Sequence, residues 1–225
     1  MPKNRVALFD LDGVLADNTN VSLSADMAAM EIFSLEAGER PETLYSMFDI
    51  LKSEAIRTDP YDRGRLHLYE KLAMLIGARN YLDAYRAFCQ TIERNTRPTE
   101  IFGHLYPLII NAASDSFIVT DNQTDTAYLK LRKLNLALPS ESVVTSKTIG
   151  RRKREEEYWT KLFELIGAYP ERCVVLGDSE ARDIRHPKNL GAMTVLYSDS
   201  ASSDNSRADI HVRSPIDVRK VLRNI

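Results

Sequence analysis

Five short apolar runs punctuate the chain, at 6–11, 117–120, 143–145, 173–177 and 193–197. They are rich in Val, Ile, Leu and Phe and do not alternate with polar residues. A strand with one wet face alternates, so these runs predict strands covered on both faces, as in a parallel sheet. Helical stripes lie between them. Residues 126–134 carry Ala127, Leu129, Leu131 and Leu134, and residues 156–166 carry Trp159, Leu162, Phe163 and Ile166. Strand–helix alternation predicts an α/β fold with a doubly wound parallel sheet.

One interval departs from this rhythm. From about residue 18 to residue 96 the periodicity is helical throughout, with candidate helices at 24–37, 41–56, 63–77 and 81–93. Pro41, Pro60 and Pro98 punctuate them, as proline does at helix boundaries. The pattern predicts an all-helical domain, 18–97, inserted into a core made of 1–17 and 98–225. Within the insert, Arg57, Tyr61, Arg63, Arg65 and His67 form a polar cluster between helices. It reads either as an exposed interhelical loop or as a surface that meets a substrate, with Arg63 and Arg65 the candidate contacts.

Composition narrows the field. A chain of 225 residues with 44% hydrophobic and 28% charged residues is ordinary for one or two soluble domains. The net charge of −2 gives no global field for nucleic acid or an acidic membrane, so any anion site must be built locally. The two cysteines, Cys89 and Cys173, form no CxxC pair, which argues against a disulfide scaffold or a zinc ribbon. His104, His186 and His211 show no metal spacing. The apolar run at the N-terminus is too short for a secretory segment, and no other stretch is long enough to span a membrane. A cytoplasmic protein is expected, with no nucleic-acid or membrane partner.

The chemistry concentrates where apolar runs end. Asp10-Leu11-Asp12-Gly13 closes the first. Carboxylates at the C-terminal end of a parallel strand stand where α/β sheets bind ligands, and a divalent cation offsets their charge. The second run ends in Thr120-Asp121-Asn122, a hydroxyl and free amides suited to an anion. A helix cap is the plain alternative at both. After the third run comes Arg151-Arg152-Lys153-Arg154, which on its own reads as a solvated charged face. The fourth ends in Gly177-Asp178, with Asp183 close behind. Two acidic strand ends in one sheet repel unless they share a metal.

In this order the segments resemble the four motifs of the haloacid dehalogenase superfamily. Phe9-Asp10-Leu11-Asp12-Gly13-Val14 is similar to the first and Thr120 to the second. Lys153 matches the third, although Arg154 replaces the usual proline and Lys147 and Lys161 are alternatives. Gly177-Asp178 with Asp183 matches the fourth. The resemblance spans roughly 1–17 and 98–225. It implies a Rossmann-like core, with the helical insert as the family's first-type cap.

The resemblance also implies a magnesium-dependent phosphatase that acts on small phosphomonoesters, similar to phosphoglycolate phosphatase. Asp10 would attack phosphorus and form an aspartyl-phosphate, and Asp12 would protonate the leaving oxygen and then activate water. Asp10, Asp12 (through its carbonyl), Asp178 and Asp183 would serve the metal. Thr120, Asp121, Asn122 and Lys153 would bind the phosphoryl group. Dehalogenases of the family typically lack the second aspartate, so Asp12 favours phosphoryl transfer. A sugar phosphomutase resembling beta-phosphoglucomutase, or a non-catalytic binding relative, is the alternative. A monomer or homodimer is expected.

Overall fold

The computed structural model describes residues 5–58, 64–112, 115–198 and 206–224. Arg63 and Tyr61 lie outside the described residues. The chain divides into two compact units. The first comprises Met1–Asp17, Arg97–Asn122 and Leu134–Ile225, and the second Asn18–Thr96 and Gln123–Lys133.

The first unit is built on a six-stranded sheet. Its strands are β1 (Val6–Asp10), β4 (Ser116–Thr120), β5 (Val143–Thr145), β6 (Cys173–Gly177), β7 (Met193–Tyr197) and β8 (Ile210–Val212). Their order is β5-β4-β1-β6-β7-β8, and every pairing is parallel. Five of the six are the apolar runs of the sequence. β1 is central and all five of its residues are buried, as a strand covered on both faces requires.

Phe9 pairs with Ile118 on one side and Leu176 on the other, so Asp10, Thr120 and Gly177 close neighbouring strands at the same end of the sheet. From β1 the chain goes to β4 and β5 on one side and then to β6, β7 and β8 on the other. That reversal makes the carboxyl end of β1 the switch point where doubly wound sheets open a ligand crevice. One face of the sheet is sealed by Tyr158, Trp159, Leu162 and Phe163 from α8 (Glu156–Leu165), packed against Leu8, Val119, Val144 and Val175.

Four further helices belong to this unit: α5 (Phe102–Asn111), α7 (Ser146–Ile149), α9 (Arg185–Asn189) and α10 (Pro215–Asn224). A short antiparallel pair, β2 (Ala16–Asp17) with β3 (Arg97–Pro98), stands at the two chain crossings where the insert begins and ends.

The second unit holds α1 (Val21–Ala37), α2 (Pro41–Thr58), α3 (Arg65–Ile76), α4 (Tyr81–Asn95) and α6 (Thr124–Lys133). Phe33, Phe48, Tyr69, Leu72 and Phe88 form its apolar centre. A buried polar knot sits among these rings. Arg65 reaches both oxygens of Asp26, at 2.7 and 3.0 Å, and the Tyr69 hydroxyl donates to Asp26 at 2.8 Å.

α6 falls in the range 98–225 that the periodicity assigned to the core, yet it groups with the helical unit. Its side chains explain why. Leu129 packs on the apolar centre, and Arg132 bonds Glu93 at 2.8 Å. Asp125 accepts from the Tyr85 hydroxyl at 2.6 Å, and Lys130 donates to Asn18 at 2.9 Å. Among the described residues, no helix is long and apolar enough to cross a membrane.

Candidate active site

β1 delivers Asp10 to the end of the sheet almost fully buried, at 3% exposure. Its Oδ1 accepts from the Leu11 amide at 2.8 Å, which fixes the side chain against the backbone that follows. The chain then turns at Gly13 with φ +81°, a region that favours glycine. A Cβ at Gly13 would also collide with the Asp178 carboxylate. Sequence and geometry agree that only glycine fits here.

Asp12 is half-buried, and its Oδ2 accepts from the Asn122 side-chain amide at 2.8 Å. The same amide reaches Thr120 Oγ1 at 2.9 Å, and the Asn122 backbone N–H reaches it at 3.1 Å. Asn122 thus ties the end of β4 to the end of β1. Asp121 turns the other way. Its Oδ1 accepts from the Lys153 backbone N–H at 3.1 Å and from the Ser146 hydroxyl, anchoring the lysine loop to the sheet.

Lys153 is the cation of its run that enters the site. At 1% exposure, its ammonium meets Asp10 Oδ1 at 2.8 Å, Asp183 Oδ1, and the Val119 carbonyl at 3.2 Å. The ammonium is thus ion-paired with two carboxylates and donates to one backbone carbonyl. Arg151 pairs with Glu157 at 2.5 Å, Lys161 pairs with Glu157 at 3.1 Å, and Arg154 and Lys147 are exposed.

β6 supplies the remaining acids. Asp178 follows Gly177 directly, and Asp183 is fully buried on the π-helical turn Glu180–Ile184. Asp183 Oδ2 accepts from the Ser179 amide at 3.0 Å, and a Cβ on Gly177 would strike the Asp183 side chain. Asp10, Asp178 and Asp183 offer oxygens that all lie within 4.8 Å of one another.

Their electrostatics follow from crowding. Burial raises the Asp10 carboxyl well above its usual range and Asp183 adds to this, while Lys153 pulls the other way. Burial and then Asp183 raise Asp178, with Arg182 opposing. Burial works against the Lys153 charge, yet Asp10 and Asp183 outweigh it and hold the ammonium protonated. One lysine cannot neutralise three carboxylates. A hard divalent cation with oxygen preference fits the excess charge and the donor set.

Two side chains that the sequence did not mark as site residues matter here. Trp159 Nε1 donates to the Lys153 carbonyl at 2.7 Å and to the Arg182 carbonyl at 3.2 Å, fastening the lysine loop to the acidic turn. Arg182 places Nη2 3.4 Å from Asp178 Oδ1. A lone tryptophan six residues after a candidate lysine was the available sequence signal for the first; the second had none. Arg65, a candidate substrate contact, is engaged with Asp26 inside the helical unit.

A sequence model described as haloacid dehalogenase-like hydrolase matches residues 7–197. The chain belongs to that family. This hydrolase is 24% identical, over 223 residues, to a phosphoglycolate phosphatase of Aquifex aeolicus (strain VF5), across 98% of its own chain and 97% of that protein. Its fold is similar to that of a 2-haloacid dehalogenase from Pseudomonas syringae pv. Tomato DC3000, with a TM-score of 0.73, 16% identity and coverage of 98% and 99%. It is also similar to a HAD phosphatase from Thermococcus onnurineus, with a TM-score of 0.63, 16% identity and 97% of each chain covered. At such identities these two structures speak for the hydrolase's fold.

Proposed function

We propose that this hydrolase is a magnesium-dependent phosphatase of small phosphomonoesters that works through an aspartyl-phosphate on Asp10. The observation that carries the reading is the contrast between two neighbouring carboxylates. Asp10 is buried and paired with Lys153, while Asp12 is half-buried and hydrogen-bonded to the Asn122 amide. Unlike environments suit unlike roles, a fixed nucleophile and a proton carrier.

Asp10 attacks phosphorus, forming the new O–P bond as the bond to the leaving oxygen breaks. Asp12 gives its proton to that oxygen. Asp12 then takes a proton from water as the water oxygen attacks phosphorus, releasing phosphate and restoring the Asp10 carboxylate. The Thr120 hydroxyl, the Lys153 ammonium and the amides after β1 and β4 hold the phosphoryl oxygens, so catalysis rests on positioning and charge. Asp10, Asp178 and the Asp12 carbonyl, with Asp183 in support, would hold magnesium, which would supply positive charge to the phosphoryl group.

The likeness to a phosphoglycolate phosphatase across nearly the full length of both chains supports the phosphatase reading. The dehalogenase neighbour raises the opposite possibility. A halide leaves without protonation, so a hydrogen-bonded second aspartate is superfluous there and useful for an alkoxide.

The test is hydrolysis of p-nitrophenyl phosphate with magnesium or with EDTA, beside halide release from 2-chloropropionate. Phosphate release that needs magnesium, with no halide release, is the expected result. Halide release without phosphatase activity contradicts the proposal. Asp12→Asn is expected to lower kcat by about 10²–10⁴-fold, the usual worth of a general acid–base group.

A further inference from the structure

Asp178 is the most accessible of the clustered carboxylates, and it already has a partner. Arg182, one turn onward, sets Nη2 3.4 Å from Oδ1. The opposite oxygen, Oδ2, faces Gly13 so closely that no Cβ fits between them. One side of Asp178 is therefore closed by backbone, and the other is occupied by a guanidinium.

Arg182 is held at one end and loose at the other. Its carbonyl accepts from Trp159 Nε1 at 3.2 Å, and its Cα lies within the π-helical turn Glu180–Ile184. Its side chain is 43% exposed, against 2% for Lys153. The 3.4 Å contact is longer than the ~2.7–2.9 Å of a tight charge-assisted bond. Asp10, Asp183, Asp178 and Asp121 all act electrostatically on this guanidinium, so it sits in the field of the whole acidic cluster. Lys153 is buried between two carboxylates and a carbonyl, whereas Arg182 is a second positive charge with room to leave.

We propose that Arg182 is a positioning residue that serves as a built-in counter-cation for Asp178 and competes with the divalent cation for that carboxylate. The inference rests on reading Asp178 as a cation ligand. Without a divalent cation, Arg182 limits the repulsion between Asp178 and its neighbours and keeps the carboxylate aimed at the site. When a cation takes Asp178, the guanidinium is released toward solvent, and part of the binding energy is spent on displacing it. The site thereby trades cation affinity for order in the cation-free state.

The experiment is titration of the metal-free protein with magnesium alone, followed by calorimetry and by the fluorescence of Trp159, the only tryptophan. Removing a half-exposed ion pair is expected to tighten magnesium binding about fivefold in Arg182→Gln. Arg182→Lys is expected to bind as the wild type does. The advantage of Arg182→Gln is expected to shrink as KCl rises and screening weakens the pair. Arg182→Met keeps the aliphatic stem and serves as a second neutral variant should the glutamine protein fold poorly.

Neutral variants that bind magnesium as the wild type does, or more weakly, overturn the proposal, the weaker case meaning that Arg182 helps the cation. Asp178→Asn separates this from the underlying reading. If wild type binds magnesium and Asp178→Asn does not, Asp178 is a ligand whatever Arg182 does. If Asp178→Asn binds as well as the wild type, both inferences fall.

Discussion

At the scale of single residues, Asp10 bears an energetic cost as the proposed nucleophile. Burial raises its carboxyl and Asp183 adds to the effect; Lys153 recovers only part. An acid whose folded pKa lies above its unfolded value loses stability as pH climbs from the unfolded pKa, roughly 4, through the folded one. Metal-free wild type is thus expected to lose melting temperature relative to Asp10→Asn across that window. Magnesium is expected to narrow the gap by offsetting the charge. Melting curves in EDTA from pH 5 to pH 8 check this, and an asparagine variant that is the less stable protein at pH 7 contradicts it.

Lys153→Met should do the reverse. It leaves Asp10 and Asp183 buried without their cation, a change expected to cost about 3–5 kcal/mol by urea unfolding. The charge run alone did not tell which cation from Arg151 to Arg154 enters the site, although the family resemblance pointed to Lys153. The choice is made by acceptors distant in the chain, Asp10, Val119 and Asp183 for the lysine and Glu157 for Arg151. Asp10 and Asp178 were legible because each stands at the end of an apolar run, and strand ends in a parallel sheet converge on one edge; Asp183, on the turn that follows, was legible through the family's fourth motif.

At the scale of elements, the site depends on loops that are stitched together by few bonds. Trp159 makes two of them. Trp159→Phe keeps an aromatic ring but removes the N–H together with part of the buried indole, so the lysine loop and the acidic turn lose their shared fastener and a small cavity opens. The expected outcome is a loss of stability of about 2–3 kcal/mol, from the lost hydrogen bonds and the cavity together, with a weaker response to magnesium. Unchanged magnesium dependence would show that the two loops hold their places independently.

Gly13→Ala is expected to be more damaging. It combines a left-handed backbone with a collision at Asp178, and magnesium-dependent activity should be lost in a protein that still folds. Uninterrupted apolar runs made five strands visible in advance. β8 was hidden because it is three residues long with His211 in its middle. What holds its start is Asp209, which accepts from the Thr194 amide at 2.8 Å, the Thr194 hydroxyl at 2.9 Å and Lys188 at 2.8 Å. None of those partners is local in sequence.

At the scale of the whole molecule, the chain carries two cores with separate duties. The sheet unit holds the acids and the lysine, while the helical unit is organised around Asp26, Arg65 and Tyr69. Helical periodicity announced that unit. Its polar centre stayed concealed, because Arg65 finds Asp26 across 39 residues and stands near two rings, 5.5 Å from the Phe48 centroid and 5.6 Å from that of Phe88. The segment around Arg65 looked like a surface cluster when its partner could not be seen.

Arg65→Met is therefore expected to destabilise the protein by about 3–5 kcal/mol, as loss of a buried pair does, with kcat/KM per folded molecule little changed. A fall in kcat/KM at unchanged stability would instead place Arg65 against a substrate.

The central claim is that Asp10 carries the phosphoryl group during turnover. Its most direct test is acid quenching of the magnesium-loaded enzyme within the first turnover, followed by peptide mass analysis. The account predicts one phosphoryl adduct, confined to the peptide containing Asp10 and absent from Asp10→Asn. Phosphate release at full rate from Asp10→Asn, or an adduct on another residue, would contradict it.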